Sequence, residues 1–301
     1  MSTSLSSRPV AGILWMLLSG LLFVCVTALV KSLGLGIPAP EAAFLRYAMG
    51  LIFVVPMLRT IVKANLTRRQ WGMFALRGAL HAVGVALWFY GMARMPIAEL
   101  TALNYLSPIY VTLGAAVFLG EKLALRRILA VAVALIGAVI ILRPGFREVG
   151  PGHVAMLIAA PVFGMSYLMA KLMSDETSPL VVVGMLSVFV TIGLAPMAAA
   201  VWVTPSWHVL GVLFCVACVA TAGHYAMTIA FAAAPLTVTQ PVTFVQLVWA
   251  VTLGAVVFGE SVDIWVVLGG AVILGSVSFI TWREAMTKRR MRTPPAVATK
   301  V

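Results

Sequence analysis

A stripe of polar and aromatic residues marks the third apolar stretch of the chain. It consists of Arg77, His81, Gly84 and Trp88, and intervals of four, three and four residues place them on one face of an α-helix. An ionisable side chain in an apolar stretch is costly, so it is usually retained to bind a ligand or handle an ion. His81 therefore either lines a substrate site or is satisfied by a polar group on a neighbouring helix. Arg77 is expected to have a structural role and to reach toward the lipid head groups.

Similar side chains in other apolar stretches extend this candidate substrate site. Each alone is typical of helix packing, but together they predict a wall of aromatic rings and neutral hydrogen-bonding groups. Such a wall suits a small molecule with an apolar side chain, above all a neutral amino acid. Because no cation is expected at its centre, sugar phosphates are disfavoured as cargo. The predicted substrate-binding residues are His81, Trp88, Asn104, Tyr105, Tyr167, Tyr225, Thr243 and Gln246.

Two further residues within apolar stretches are expected to shape the helices. Arg46 lies in the second stretch, where an unpaired arginine costs at least about 2.5 kcal/mol. We expect it to point outward or to bind Glu41 or a backbone carbonyl. Pro108, in the middle of the fourth stretch, lacks a backbone N–H and predicts either a static kink or a moving part beside a cavity.

All the carboxylates lie away from the middle of the apolar stretches. The nine acids sit near the ends of stretches, in loops or in tails. Carriers coupled to protons or sodium commonly keep an acid at membrane depth. In a carrier, this pattern would favour movement down the substrate gradient, or proton coupling only through His81 or His224.

Several enzyme motifs are absent from the sequence. There is no G-x-x-x-x-G-K-[ST] motif for nucleotide phosphates, no H-E-x-x-H motif for zinc, and no zinc-ligand spacing among the four histidines. Cys215 and Cys218 form a C-x-x-C within an apolar stretch, where packing is the expected role. We therefore predict no enzyme activity, no cofactor and no metal site.

The composition indicates the class of protein. Hydrophobic residues make up 62% of the 301 residues and charged residues 10%, with a mean hydropathy of +1.07. A soluble domain carries about 25% charged residues, so an integral membrane protein is predicted. The net charge of +12 does not indicate nucleic-acid binding, because the basic residues cluster at helix ends and in the C-terminal tail.

Apolar length and turn-forming residues predict about ten membrane-spanning helices. The dividers include Arg143-Pro144-Gly145 and Ser178-Pro179, and the loops are too short for an inserted soluble domain. The first stretch is longer than a signal-peptide core and is predicted to be retained. The predicted spans are 10–33, 41–61, 70–93, 97–118, 124–143, 151–173, 179–202, 206–232, 237–258 and 262–282.

The chain repeats itself at a distance of about 140 residues. Segment 113–121 returns as 253–260 with one residue lost, and segment 136–139 returns as 274–277. Small residues at intervals of four predict close helix contacts in the last span of each copy, at Ala130, Ala134 and Ala138 and at Ala271 and Gly275. The predicted domains are a five-helix unit at 1–145, a second at 146–285 and a basic cytoplasmic tail at 286–301.

Lysine and arginine are distributed unevenly about the predicted spans. If the N-terminus is cytoplasmic, 15 basic residues fall inside and 4 outside, which predicts that both termini are cytoplasmic. Five spans per copy is an odd number, so the copies are predicted to form an inverted repeat with its axis in the membrane plane. The outside residues are Lys31, Arg94, Arg143 and Arg147; the inside residues are Arg8, Arg59, Lys63, Arg68, Arg69, Lys122, Arg126, Arg127, Lys171, Arg283, Lys288, Arg289, Arg290, Arg292 and Lys300.

The motifs resemble those of the EamA-type drug/metabolite transporters over nearly the whole chain. The likeness is carried by segments 108–114, 120–123 and 135–140, together with segment 44–47, which is similar to the family's arginine motif. The second copy departs from that motif, with Met185 in the place of the arginine. The resemblance implies a ten-helix basket around a central cavity, with the fifth and tenth helices peripheral, in the bacterial inner membrane.

The resemblance also implies a function. It predicts a secondary or facilitative carrier that exports small neutral metabolites such as apolar or aromatic amino acids, as in the YddG-like branch, by alternating access of the two repeats. The alternatives are a multidrug or other metabolite carrier of the same fold, and a membrane scaffold that transports nothing. The expected partners are a small-molecule substrate and the lipid bilayer, without nucleic acid. The sequence leaves the oligomeric state open and is compatible with a monomer.

Overall fold

The chain is helical throughout the parts that the structure describes, as the sequence predicts. The structure is a computed structural model, and it describes residues 9–119, 125–146, 148–233, 242 and 244–292. A 3-10 helix, Leu51–Met57, joins the second and third helices. The α-helices are α1 Pro9–Ser32, α2 Ala39–Gly50, α3 Leu58–Lys63, α4 Arg68–Met92, α5 Ile97–Asn104, α6 Ser107–Leu119, α7 Leu125–Leu142, α8 Pro151–Glu176, α9 Pro179–Ala199, α10 Trp207–Ala233, α11 Phe244–Phe258 and α12 Ile264–Arg292.

The predicted fourth span is two helices, because of Pro108. Pro108 has no N–H to donate to the carbonyl of Asn104, and its ring would clash with that carbonyl in a continuous helix. The chain therefore ends α5 at Asn104 and places Pro108 in the first turn of α6, where proline is tolerated. The N–H of Leu106 donates instead to the carbonyl of Leu103 at 3.0 Å. The expected kink is thus a full break, located before the proline.

The helix starts follow local sequence signals. Thr67 caps α4, because its hydroxyl accepts from the N–H of Gln70 at 3.3 Å while the Gln70 side chain accepts from the N–H of Thr67 at 2.9 Å. Pro151 and Pro179 occupy the first positions of α8 and α9, where the missing N–H has no intrahelical partner. Gly259 has a φ of 64° directly after α11, a conformation that glycine adopts without strain.

Several helices have the length and composition of membrane spans. Within the described residues, six are long and apolar enough, namely Val10–Ser32, Ala39–Lys63, Arg68–Met92, Pro151–Ala170, Leu180–Ala199 and Trp207–Met227. Shorter apolar helices cover Ile128–Leu142, Val245–Phe258 and Ile264–Phe279. The repeated Gly-Glu pair at 120–121 lies outside the described residues, so the structure places only its second copy.

Helices of one half pack mainly against helices of the other half. The principal pairs between the halves are α1 with α10, α4 with α8 and α7 with α12, followed by α4 with α9, α2 with α9, α6 with α8, α2 with α10 and α1 with α11. In the repeat, α1 corresponds to α8, α2 to α9, α4 to α10, α6 to α11 and α7 to α12. Exchanging corresponding helices turns the α1–α10 pair into the α8–α4 pair, and the α1–α11 pair into the α8–α6 pair. The α2–α9 and α7–α12 pairs map onto themselves. A two-fold relation between the halves produces this pattern.

The last helix of each half packs closely against its counterpart, although only one of the predicted stripes is used. Ala130, Ala134 and Ala138 of α7 are buried, as the four-residue spacing predicts. Ala271 and Gly275 of α12 are exposed, so that half of the prediction is wrong. Gly269, two residues before Ala271, faces α7 instead, because a β-carbon added to it would meet the carbonyl oxygen of Gly137 and the side chain of Ile141. The spacing of small residues does not by itself show which face of a helix meets its neighbour.

Candidate functional site

Six side chains from four helices lie together between the halves, and we call them the central cluster. The ring centroids of Tyr47 and Tyr167 lie 6.4 Å and 6.2 Å from the ring centroid of His81. Both arginines of the cluster are close enough to His81 and His224 to interact electrostatically. The cluster therefore joins two helices of each half. Its members are Arg46 and Tyr47 of α2, Arg77 and His81 of α4, Tyr167 of α8 and His224 of α10.

His81 is satisfied by the neighbouring helix. Its Nδ1 lies 3.2 Å from Oγ of Ser166 on α8, and its side chain is only 4% exposed. Its ring also packs edge-on against Phe163 at 5.1 Å between centroids. Of the two roles predicted for His81, the geometry supports helix packing directly. Its role toward a ligand would be to hold Tyr167, one residue after Ser166, in place.

Arg77 is buried rather than directed toward lipid head groups. It is 5% exposed, and its Nη1 donates to the backbone carbonyl of Val182 on α9 at 3.0 Å. Its Nε is buried and has no hydrogen-bond partner. The contact of Arg77 with α9 in the other half agrees with the expected structural role. The side chain does not reach toward the lipid head groups as expected, because α8 and α9 cover this face of α4.

Of the arrangements predicted for Arg46, the structure excludes the contact with Glu41. Glu41 is fully buried and accepts from the backbone N–H of Val203 at 2.9 Å instead. The guanidinium of Arg46 lies 3.9 Å from the ring centre of Tyr47, and no hydrogen bond or ion pair joins it to any described residue. Two cations therefore lie at the centre of the bundle, so the expectation of a site without a central cation is wrong.

Tyr167 gives the central cluster an accessible aromatic face. Its side chain is 40% exposed, whereas its neighbours Ser166 and Leu168 are buried. The ring stacks on Phe163 with a 12° angle between planes and 5.9 Å between centroids. It also lies within electrostatic reach of Arg77 and Tyr47. An aromatic surface and cationic donors are thus presented side by side.

The other predicted site residues are more dispersed. Trp88 lies along α4 from His81 and packs edge-on against Phe89 at 5.4 Å. Tyr225 is 65% exposed on α10, beside His224, whose ring contacts Phe23 at 5.0 Å.

A second group of predicted residues lies where α5 meets α11. Tyr105 is 9% exposed, and its hydroxyl is within hydrogen-bonding reach of the backbone of Leu247, the neighbour of Gln246. The Oδ1 atom of Asn104 is buried without a hydrogen-bond partner. Gln246 lies half-buried against α1, near Gly20. Thr243 lies outside the described residues.

A charged contact ties the halves together where α1 ends, which we call the Lys31 end of the bundle. Lys31 forms an ion pair with Glu260, and its Nζ also donates to the carbonyl of Met95 at 2.9 Å. Oε2 of Glu260 accepts from the N–H of Ile97 at 3.0 Å. The loop between α4 and α5 is therefore held to the loop between α11 and α12.

Further ties between the halves occur at the same end. Arg143 pairs with Asp263. Nε2 of His153 lies 2.7 Å from Oε2 of Glu99, and Nδ1 of His153 accepts from the N–H of Gly150 at 3.1 Å. Because Nδ1 is an acceptor, Nε2 carries the proton and donates it to Glu99. The described carboxylates in these ties lie in the first turn of α5 or in the loop between α11 and α12, which agrees with the predicted absence of acids at mid-helix.

The opposite end, which we call the Arg69 end, has a solvent-exposed tie. Glu176 at the end of α8 accepts from Nη1 of Arg69 at 3.0 Å and from Nε2 of Gln70 at 3.1 Å. The hydrogen bond from Gln70, followed by that from Arg69, lowers the pKa of Glu176 below its ordinary value. An exposed pair of this kind contributes little to stability. The Lys31–Glu260 pair is partly buried, so solvent screens the attraction between its charges less than in the exposed Arg69–Glu176 pair.

Two pockets lie away from the central cluster. One of about 460 Å³ opens at the Lys31 end and is lined by residues that include Leu33, Ile37, Phe89 and Arg94. A shallow apolar groove of about 450 Å³ runs between α7 and α12, along Val133, Gly275 and Phe279. Within the described part of the chain, no three His, Cys, Asp or Glu side chains could hold a metal ion together.

Sequence reasoning missed the contribution of Arg46, Tyr47 and Phe163 to the site. Tyr47 could have been included because it follows Arg46 directly in the sequence. Phe163 could have been included because it lies four residues before Tyr167, on the same helix face. Neither pattern shows which face of a helix points toward the other half. That information comes from the packing of α2 and α8 against α4.

The family of the chain follows from this architecture and from comparison with known proteins. The profile of the EamA-like transporter family matches twice, at residues 10–143 and 150–282. The chain therefore belongs to the EamA-like transporter family of the drug/metabolite transporter superfamily, which confirms the resemblance noted in the sequence. It is a membrane transport protein with a multi-pass arrangement in the bacterial inner membrane.

Its relatives transport different small molecules. A riboflavin transporter of Vibrio cholerae is 32% identical over 96% of this chain and 99% of its own length. An S-adenosylmethionine uptake transporter of Rickettsia prowazekii is 26% identical over 91% of this chain and 93% of its own length. A pseudopaline exporter of Pseudomonas aeruginosa is 26% identical over 88% of this chain and 93% of its own length.

Proposed function

We propose that this protein carries a small aromatic metabolite across the inner membrane, with riboflavin as the first candidate. The observation that carries the proposal is the central cluster, where the accessible ring of Tyr167 lies within electrostatic reach of Arg77 and of Tyr47, and Tyr47 in turn contacts Arg46. A flat ring system can stack on the tyrosine while its oxygen and nitrogen acceptors meet the guanidinium groups. The relative named as a riboflavin transporter, which aligns over nearly the full length, makes a flavin ring the leading cargo.

Aromatic amino acids are the second candidate, as the sequence predicts. An arginine binds a carboxylate with two parallel hydrogen bonds, and an aromatic wall accepts an apolar side chain. Sugar phosphates were disfavoured because no cation was expected in the site. Since the central cluster contains two arginines, a phosphorylated sugar is included among the substrates to be tested. Relatives include both an uptake transporter and an exporter, and the proposed export of this cargo is therefore tested together with uptake.

The proposed mechanism is alternating access of two inverted five-helix repeats, with ten spans and cytoplasmic termini. The exchange-symmetric packing of the halves supports this arrangement. On this topology the Lys31 end faces outward, and the ties of Glu260, Asp263 and His153 must break for substrate to pass there. No described carboxylate belongs to the central cluster, which favours movement down the substrate gradient.

Counterflow in proteoliposomes tests the proposal. Vesicles loaded with unlabelled riboflavin should accumulate labelled riboflavin, and the panel should include tryptophan and a sugar phosphate. Tyr167→Ala should lower the rate by about tenfold, as expected for the loss of one stacking surface. Trp282→Ala is the matched control, because Trp282 is 49% exposed on the peripheral helix α12. Wild-type vesicles that exchange tryptophan or the sugar phosphate but not riboflavin would refute the flavin proposal.

A further inference from the structure

The central cluster contains more hydrogen-bond donors than its own residues use. Arg46 has no hydrogen bond or ion pair to a described residue, and the buried Nε of Arg77 has no partner. A guanidinium group offers five N–H donors and no acceptor. Donors of this kind are costly in a span unless something accepts their hydrogen bonds.

The surroundings of Arg46 define what can satisfy it. Glu41, five residues before it, is fully buried; its Oε2 accepts from the N–H of Val203, and its Oε1 has no hydrogen-bond partner. His81, His224 and Arg77 add donors or positive charge nearby. No described carboxylate forms an ion pair with Arg46, so its donors are available to the acceptor atoms of a bound molecule.

We propose that Arg46 is the specificity-determining residue of the substrate site and binds the acceptor edge of the flavin ring. In a flavin, the ring nitrogen N5 and the carbonyl oxygen O4 are adjacent acceptors in one plane. This pair matches the planar fork of a guanidinium, as the two oxygens of a carboxylate do. The rest of the ring stacks on Tyr167, whose accessible face lies in reach of Arg77 and Tyr47. The inference rests on the proposed flavin transport.

The contact of Arg46 with Tyr47 supports this assignment. The Cζ atom of Arg46 lies 3.9 Å from the ring centre of Tyr47, a contact that holds the guanidinium beside an aromatic face without using its N–H donors. Lysine in that place would keep the charge but lose the fork. Arg77 differs, because its Nη1 is already committed to Val182 and it contributes mainly positive potential.

Quenching of flavin fluorescence on binding to the purified, detergent-solubilised protein tests the assignment. The ligands are riboflavin and 5-deazariboflavin, which has C–H in place of N5 and therefore lacks one of the two acceptors. The wild type should bind riboflavin about tenfold more tightly than the deaza analogue. Arg46→Gln should bind both weakly and without preference. Arg59→Gln, an exposed arginine on the same predicted span, should keep the wild-type preference.

The outcomes separate the inference from the proposed function. If the wild type binds no riboflavin, the flavin proposal itself fails. If it binds riboflavin and Arg46→Gln retains the tenfold preference, the flavin proposal stands and the role of Arg46 is refuted. If size-exclusion chromatography shows that Arg46→Gln is not folded, the ratio of the riboflavin and 5-deazariboflavin affinities is measured in Arg46→Lys instead. A retained tenfold preference in that variant also refutes the role of Arg46.

Discussion

Gly137 of α7 and Gly269 of α12 touch through their backbones across the two halves. A β-carbon added to Gly137 would lie 2.8 Å from the carbonyl oxygen of Gly269, and one added to Gly269 would lie 2.5 Å from the carbonyl oxygen of Gly137. The contact is therefore reciprocal, with each glycine facing the backbone of the other helix. It allows the two helices to approach more closely than any side chain would permit.

Gly269→Ala should therefore destabilise the protein. The new methyl group meets backbone atoms that cannot rotate away, and overpacking of this kind costs about 1–3 kcal/mol. We expect the apparent melting temperature in detergent to fall by several degrees. Gly275→Ala on the same helix is the control, because nothing lies within 4 Å of its added β-carbon. Equal melting temperatures for the two variants would contradict the close crossing.

Glu260→Ala should open the Lys31 end. The change removes the partner of Lys31 and the acceptor for the N–H of Ile97, two contacts that hold the halves together. The rate at which a membrane-impermeant maleimide labels Val30→Cys in a cysteine-free background measures the opening. We expect about a tenfold increase, corresponding to about 1.4 kcal/mol of lost closure. Val30 is a suitable reporter because it is 4% exposed.

Arg69→Gln is the matched control for this experiment. It breaks the tie to Glu176 at the other end of the bundle and should leave labelling at Val30→Cys unchanged. An increase in Arg69→Gln alone would show that the Arg69 end, rather than the Lys31 end, controls access to Val30.

The distribution of basic residues predicts the sidedness of two loops. Cysteine placed at Asn65, before α4, should react only with reagents that reach the cytoplasm. Cysteine placed at Glu148, before α8, should react with impermeant reagents added to intact cells. Labelling of both positions from the same side would be incompatible with two inverted five-span repeats.

The tie at Glu176 predicts a dependence of stability on pH. Because the folded-state pKa of Glu176 is lowered, its contribution is present above the ordinary glutamate pKa of about 4.3 and is lost as the pH falls through the folded value. Glu176→Gln should lower the melting temperature slightly at pH 7. The difference from the wild type should shrink on acidification below about pH 4. A difference that grows on acidification would contradict the lowered pKa.

The helices could be predicted from the sequence because their signals are local. Apolar length marks α1 and α4, and prolines mark the starts of α8 and α9. The break before Pro108 was predicted only as a kink, since the loss of one hydrogen bond can be absorbed by bending or by ending the helix. Local pattern does not decide between these outcomes, whereas packing of α5 against α11 and α12 does.

The site was harder to predict because its geometry depends on which helix faces meet. His81 and Tyr167 were both expected in the site, and they do contact each other. A contact of Arg46 with Glu41, five residues earlier, was one of the predicted alternatives, but that carboxylate accepts from the N–H of Val203 in the other half. Such a partner is 162 residues away in sequence, and no periodicity within one helix can indicate it.

The exchange-symmetric packing has a consequence for the origin of the chain. The largest interfaces, α1 with α10 and α4 with α8, form only between halves, so a single half would leave most of its packing faces without a protein partner. On the proposed topology, an ancestor encoded by an unduplicated gene would have to insert into the membrane in both directions and assemble as an antiparallel pair. Gene duplication then lets each copy acquire its own basic residues and a fixed direction of insertion.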